Sequence, residues 1–101
     1  MILKDGVRMN GVSHELIIAF IIVNEVFRYF DYQFVVTSVT DSKHSNKSLH
    51  YSGNAFDLRT RHIKDSKMID SIVNVIKQRL GKHYDVILET DHIHIEYQPN
   101  F

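Results

Sequence analysis

Two short stretches carry the residue types that do chemistry. The first, His92-Ile93-His94-Ile95-Glu96-Tyr97, sets two imidazoles and a carboxylate at every second position. Side chains alternate between faces along a strand, so His92, His94 and Glu96 share one face and Ile93, Ile95 and Tyr97 the other. An isolated His-x-His is a weak signal and is often no more than an exposed strand face. The second stretch, Ser48-Leu49-His50-Tyr51-Ser52-Gly53-Asn54-Ala55-Phe56-Asp57, places a histidine seven residues before a carboxylate. Gly53 and Ala55 remove bulk between the two, and Asp57 shares the Ala55 side of its segment, opposite Phe56 and Leu58. Imidazole and carboxylate are normal zinc ligands, and a catalytic zinc site keeps three protein ligands and one open position. His50, Asp57 and one histidine of the last segment make such a set. Three nitrogen and oxygen donors suit zinc and would also accept cobalt or nickel.

Composition narrows the alternatives. The chain has 101 residues, no cysteine and seven histidines, so any metal is held without thiolates. Twelve basic and twelve acidic residues cancel. No net field draws the chain to nucleic acid or an anionic membrane, and neither is expected as a partner. The apolar run Leu16 to Val23 is too short to span a bilayer. Met1 to Val12 lacks the order of a signal peptide, so synthesis in the cytoplasm is expected. Length and apolar content fit one domain over 1–101, expected to be a monomer, with a single core.

The elements that would position these groups follow from periodicity. Ser13 to Phe30 reads as a helix, with Leu16, Phe20, Val23, Phe27 and Phe30 at three- and four-residue spacing. Phe34 to Val39 reads as a buried strand, Thr40 to Gly53 as a polar loop, and Asn54 to Thr60 as a second strand. Asp65 to Leu80 is the clearest helix. Asp65 or Ser66 serves as its N-cap, Ile69, Ile72, Val73, Ile76 and Leu80 form its stripe, and Gly81 ends it. Strands over Tyr84 to Glu89 and His92 to Gln98 meet at Thr90-Asp91. The order αββαββ predicts an α+β fold, a small, mainly antiparallel sheet packed against two helices. Phe20, Phe27, Phe30 and Phe34 are expected in the core. The polar loop is long for so small a domain, which favours a functional role for it.

The pattern Ser-x-His-x-x-Gly-x-Ala-x-Asp over Ser48 to Asp57, with Asp-x-x-His in Asp91-His92-Ile93-His94, resembles a known peptidase family. Its members are the zinc D-Ala-D-Ala carboxypeptidases, the vancomycin-resistance dipeptidases and the L-alanyl-D-glutamate endopeptidases of phage lysins. The resemblance covers about Phe34 to Tyr97 and implies a hedgehog-type fold. It implies a Zn2+ ion held by His50, Asp57 and His94, with Asp91 as general base and His92 as an auxiliary group. Glu89-x-x-His92 also fits an acid-x-x-His pattern. Family use of the second histidine of a His-x-His pair, and the turn at Thr90-Asp91, favour Asp91 with His94. Ser48 and Glu96 are candidates for support of the ligands.

The implied activity is hydrolysis of peptidoglycan stem peptides by a phage-encoded endolysin, reaching the cell wall by holin release or within a virion. Many family members carry an arginine shortly after a Thr-Ser pair such as Thr37-Ser38, where it meets a substrate carboxylate. Val39, Thr40 and Asp41 stand here instead. Ser48, Lys43 and Lys47 are candidates for substrate contact, and Arg59 is a further replacement for the arginine. The substrate is therefore open between a free C-terminal D-Ala and an internal stem bond. His44 is an ordinary loop histidine on this reading, and His14, His62 and His83 receive no role. The other class of function is a zinc-binding virion or structural protein that keeps the fold without the reaction. A purely structural site wants four ligands and no spare acid, and Asp91 argues against it.

Overall fold

A computed structural model describes residues 1–39 and 54–99. The elements are β1 (Ile2–Leu3), α1 (His14–Tyr29), β2 (Val35–Ser38), β3 (Ala55–Arg59), α2 (Ser66–Leu80), β4 (Tyr84–Leu88) and β5 (His92–Tyr97). They form an α+β fold with one five-stranded sheet in the order β1-β2-β3-β5-β4. Only the β1–β2 pair is parallel; the other neighbours are antiparallel. Among the described residues no helix is long and apolar enough to cross a membrane.

Local chemistry accounts for the helix ends. The Ser13 hydroxyl accepts from the Leu16 N–H at 3.2 Å, satisfying one of the donors that an N-terminus leaves free. Asp65 does the same for Lys67 at 2.9 Å, which settles the cap of α2 on Asp65 rather than Ser66. Gly81 ends α2 at φ 82°, a left-handed conformation that side chains with a Cβ disfavour.

Both helices bury their stripes on one face of the sheet. Leu16, Ala19, Phe20, Val23 and Phe27 of α1 and Ile72, Val73, Ile76 and Leu80 of α2 meet Phe56, Leu58, Val86, Ile93 and Ile95. Phe56 lies in a ring cluster, its centroid 4.5 Å from Phe20 and 6.1 Å from Phe34. Phe30, expected in the core, is half-buried at its margin, because the helix has already ended at Tyr29. Tyr84 ties β4 to α1 by donating its hydroxyl to the Glu15 carbonyl at 2.7 Å.

The element that sequence periodicity missed is β1. Its two side chains are exposed, so no apolar alternation marks it. Backbone pairing holds it instead: the Ile2 N–H donates to the Phe34 carbonyl at 2.8 Å and the Lys4 N–H to Val36 at 2.9 Å. This brings Lys4 to the sheet edge beside β2.

Candidate functional site

The helices cover one sheet face. The opposite face carries the polar alternates. In β3 these are Asp57 and Arg59, in β5 His92, His94 and Glu96, as the strand period requires. Register then decides who meets whom. Asp57 lies directly opposite His94, Arg59 opposite His92, and Ala55 opposite Glu96. Directly opposed side chains in an antiparallel pair start with their Cβ atoms about 5 Å apart. Contact between Asp57 and His94 is therefore built into the ladder, although thirty-seven residues of chain separate them.

His94 Nδ1 donates to Asp57 Oδ1 at 2.8 Å, and its Nε2 donates to Glu96 Oε1 at 2.5 Å. Ala55, small and fully buried, stands opposite Glu96 and leaves room for its carboxylate to fold back towards the ring. The second Glu96 oxygen accepts from Gln98 Nε2 at 2.9 Å. One position along β5, His92 Nδ1 donates to Asp91 Oδ1 at 2.8 Å, while its Nε2 stands 3.9 Å from Asp57 Oδ1. Asp91, at the hairpin tip, is 76% exposed. It is held near β3 by a bond from the Thr60 N–H to its carbonyl at 3.3 Å.

The electrostatics follow from these contacts. The Asp57 hydrogen bond raises the His94 pKa to about 9; partial burial opposes it, and the Glu96 bond and both carboxylate charges reinforce it. An imidazole with an acceptor on each nitrogen is an imidazolium, so a metal arriving at Nδ1 must displace a proton. The hydrogen bond from His92 lowers the Asp91 pKa, aided by the charges of His92 and Arg61, so Asp91 is ionised at neutral pH.

Stability without metal carries the sign of the His94 shift. The folded pKa near 9 lies above the model value of 6.5. The stabilisation is therefore complete below about pH 6.5 and is lost as pH rises through about 9. Discounted for solvent screening at a half-open site, it amounts to about 2 kcal/mol. In chelator, the melting temperature is expected to fall by roughly 10 °C across that window, and the slope to flatten in His94→Gln. An equal slope in both proteins would contradict the assignment.

Of the residues expected at the site, the described part of the chain brings together Asp57, Asp91, His92 and His94. Glu96 joins them as the partner of His94. His50, Ser48, Lys43, Lys47 and His44 lie outside the described residues. Among the described residues no group of three His, Asp or Glu side chains is placed to hold a metal. Asp57 and His94 supply two of the three expected donors. Donors sharing one zinc at about 2.0–2.1 Å stand a little over 3 Å apart. The 2.8 Å contact of Asp57 Oδ1 with His94 Nδ1 is close to that separation. A carboxylate on the far nitrogen of a ligand histidine is the usual support for such a ligand, and Glu96 occupies that position. The donor chemistry thus fits a zinc ion, given a third ligand. His62 donates Nε2 to the Gln33 carbonyl at 2.8 Å, a structural role.

Beside this cluster a groove of about 270 Å³ opens between the strand ends. Thr37, Asp57, Asp91 and His92 line it together with Lys4, Arg59 and Arg61. Sequence reasoning raised Arg59 in passing and did not raise Lys4 or Arg61. Each is an unremarkable surface cation until the sheet order is known.

Comparison with family models, with curated proteins and with solved structures finds no match to this chain.

Proposed function

We propose that this protein is a zinc-dependent peptidase that hydrolyses peptidoglycan stem peptides, with His50, Asp57 and His94 as metal ligands. The observation that carries the reading is the contact of Asp57 with His94 Nδ1, backed by Glu96 on Nε2. Asp57 and His94 are two of the ligands that the motif resemblance implies, and their ligating atoms face one another.

Zinc, when bound, supplies a water acidic enough to be deprotonated near neutral pH and a Lewis acid for the scissile carbonyl. The chain's own residues do the rest. Asp91, ionised at neutral pH, accepts the proton of the attacking water and delivers it to the leaving amine. His92 is oriented by Asp91 through Nδ1, which turns Nε2 towards Asp57 and the developing oxyanion. Glu96 fixes the ring of His94. Action at the bacterial cell wall, as a phage lysin or virion component, belongs to the same proposal.

The test is metal content together with hydrolysis of isolated peptidoglycan. One zinc per chain and release of stem peptides are expected. Zinc without cleavage would favour the non-catalytic metal-binding reading, and a protein that takes up no zinc would sink both.

A further inference from the structure

We propose that the outer edge of β4 docks a second copy of this chain. The two strands pair antiparallel about Val86, joining two five-stranded sheets into one continuous sheet with two-fold symmetry. The inference does not depend on the peptidase reading.

The sheet ends on β1 and on β4, and the two edges differ. β1 is two residues long and runs straight into Lys4; a short edge with a lysine resists further pairing. β4, Tyr84-Asp85-Val86-Ile87-Leu88, is five residues long, in unbroken register with β5, and has no lysine or proline. Among the described residues no strand pairs with its outer side. The Gln98 N–H donates to the His83 carbonyl at 2.7 Å and the Glu89 N–H to the His92 carbonyl at 2.8 Å. These bonds turn the odd-numbered residues of β4 towards β5. The backbone groups of Val86 and Leu88 and the Tyr84 carbonyl therefore point outwards. Ile87 and Leu88 are 45% and 42% exposed, on opposite faces of the strand.

Length and composition alone favour a monomer; charge decides what this edge accepts. Two identical antiparallel strands share a two-fold axis, so the residue on the axis fixes the register. With Asp85 on the axis, that carboxylate faces its own copy. With Ile87 there, Asp85 faces Glu89 of the second copy, twice over. Like charges directly opposed destabilise a pair. An axis at Tyr84 or Leu88 leaves half the strand unpaired. With Val86 on the axis the whole strand pairs and no acid directly opposes an acid. Val86 exchanges both bonds with its copy, Tyr84 lies opposite Leu88, and Asp85 lies opposite Ile87. Both exposed apolar residues gain a neighbour, and just beyond the strand His83 falls opposite Glu89.

A substrate peptide is the poorer occupant. A strand added here runs two spacings from β5, roughly 10 Å, out of reach of His94. The symmetric pairing instead sets both His94 rings on one face of the joined sheet. Three strand spacings and a two-residue offset separate them by roughly 16 Å. A repeating ligand could then engage both sites at once.

Sedimentation of the full chain between about 1 and 500 µM is expected to show a monomer–dimer equilibrium with Kd about 1–100 µM. One strand buries less than the roughly 800 Å² per partner of a standard stable complex. Ile87→Lys and Leu88→Lys should each weaken the dimer by roughly tenfold or more, with helix content by circular dichroism unchanged. Disulfides read the register, because the chain has no cysteine of its own. Asp85 and Ile87 of the two copies oppose one another at a non-hydrogen-bonded position, which brings their Cβ atoms to disulfide distance. Asp85→Cys mixed with Ile87→Cys should therefore give a covalent heterodimer in glutathione buffer, faster than either variant alone cross-links. A chain that stays monomeric at the highest concentration would overturn the proposal. So would a dimer indifferent to both lysines or without the preferred mixed cross-link, which would point to another surface, such as the exposed Ile17, Ile18 and Ile21 of α1.

Discussion

Asp91→Ala is expected to lower kcat/KM on stem peptides by about 10² to 10⁴, the usual contribution of a positioned general base. Zinc content should not change, because Asp91 is not among the proposed ligands. Stability should be close to that of the native protein, since the side chain is 76% exposed at a hairpin tip. The combination separates three roles. Loss of zinc along with activity would make Asp91 a ligand. Full activity would pass the role to Glu89, the other acid with a histidine three residues on. Geometry favours Asp91, which lines the groove and holds His92, whereas Glu89 is absent from the described lining. His92→Ala gives a further distinction. If Asp91 acts only by orienting His92, the double variant will be no worse than His92→Ala alone.

Phe56→Ala is expected to cost about 3–5 kcal/mol, the range for deleting a buried phenylalanine ring. That is a large share of the stability of an ordinary small domain, about 5–15 kcal/mol. The ring is fully buried between Phe20 and Phe34, and it connects β3 to the stripe of α1. Denaturant unfolding should show a lower midpoint with an unchanged slope. Phe56→Leu keeps most of the volume and should cost about 1–2 kcal/mol. Because Asp57 is the next residue, zinc affinity should weaken in Phe56→Ala although no ligand is altered. A cost below about 1 kcal/mol would mean that the ring cluster does not anchor β3.

Much of this arrangement was legible in the sequence, for reasons that are local. A strand alternates whatever surrounds it, so the shared face of His92, His94 and Glu96 could be read from six residues. The helix stripes and the Asp65 and Gly81 punctuation are equally local. Adjacency is not. The tight Thr90-Asp91 turn pairs β5 with β4, but periodicity does not say that β3 lies on its other side, and only that order turns Asp57 and His94 into a contact. The same holds for Lys4, Arg59 and Arg61, which become a group once β1 is seen to pair with β2. The strand β1 left no signal because backbone hydrogen bonds, not buried side chains, hold it. The hedgehog-type likeness, the zinc and the chemistry rest on the motif and remain proposals, and His50 lies outside the described residues.

The pairing of β3 with β5 also governs when the site comes into being. All of α2 and β4 lies between Asp57 and His94 along the chain, so the contact forms only once these elements and β5 have been made. A chain released early, after Asp57 and before β5, has no pair to offer. A metal that requires both residues would bind only the finished domain, and whatever binds only the native state shifts the folding equilibrium towards it. A zinc ion held by the proposed ligands would then favour the chains in which β5 has paired with β3.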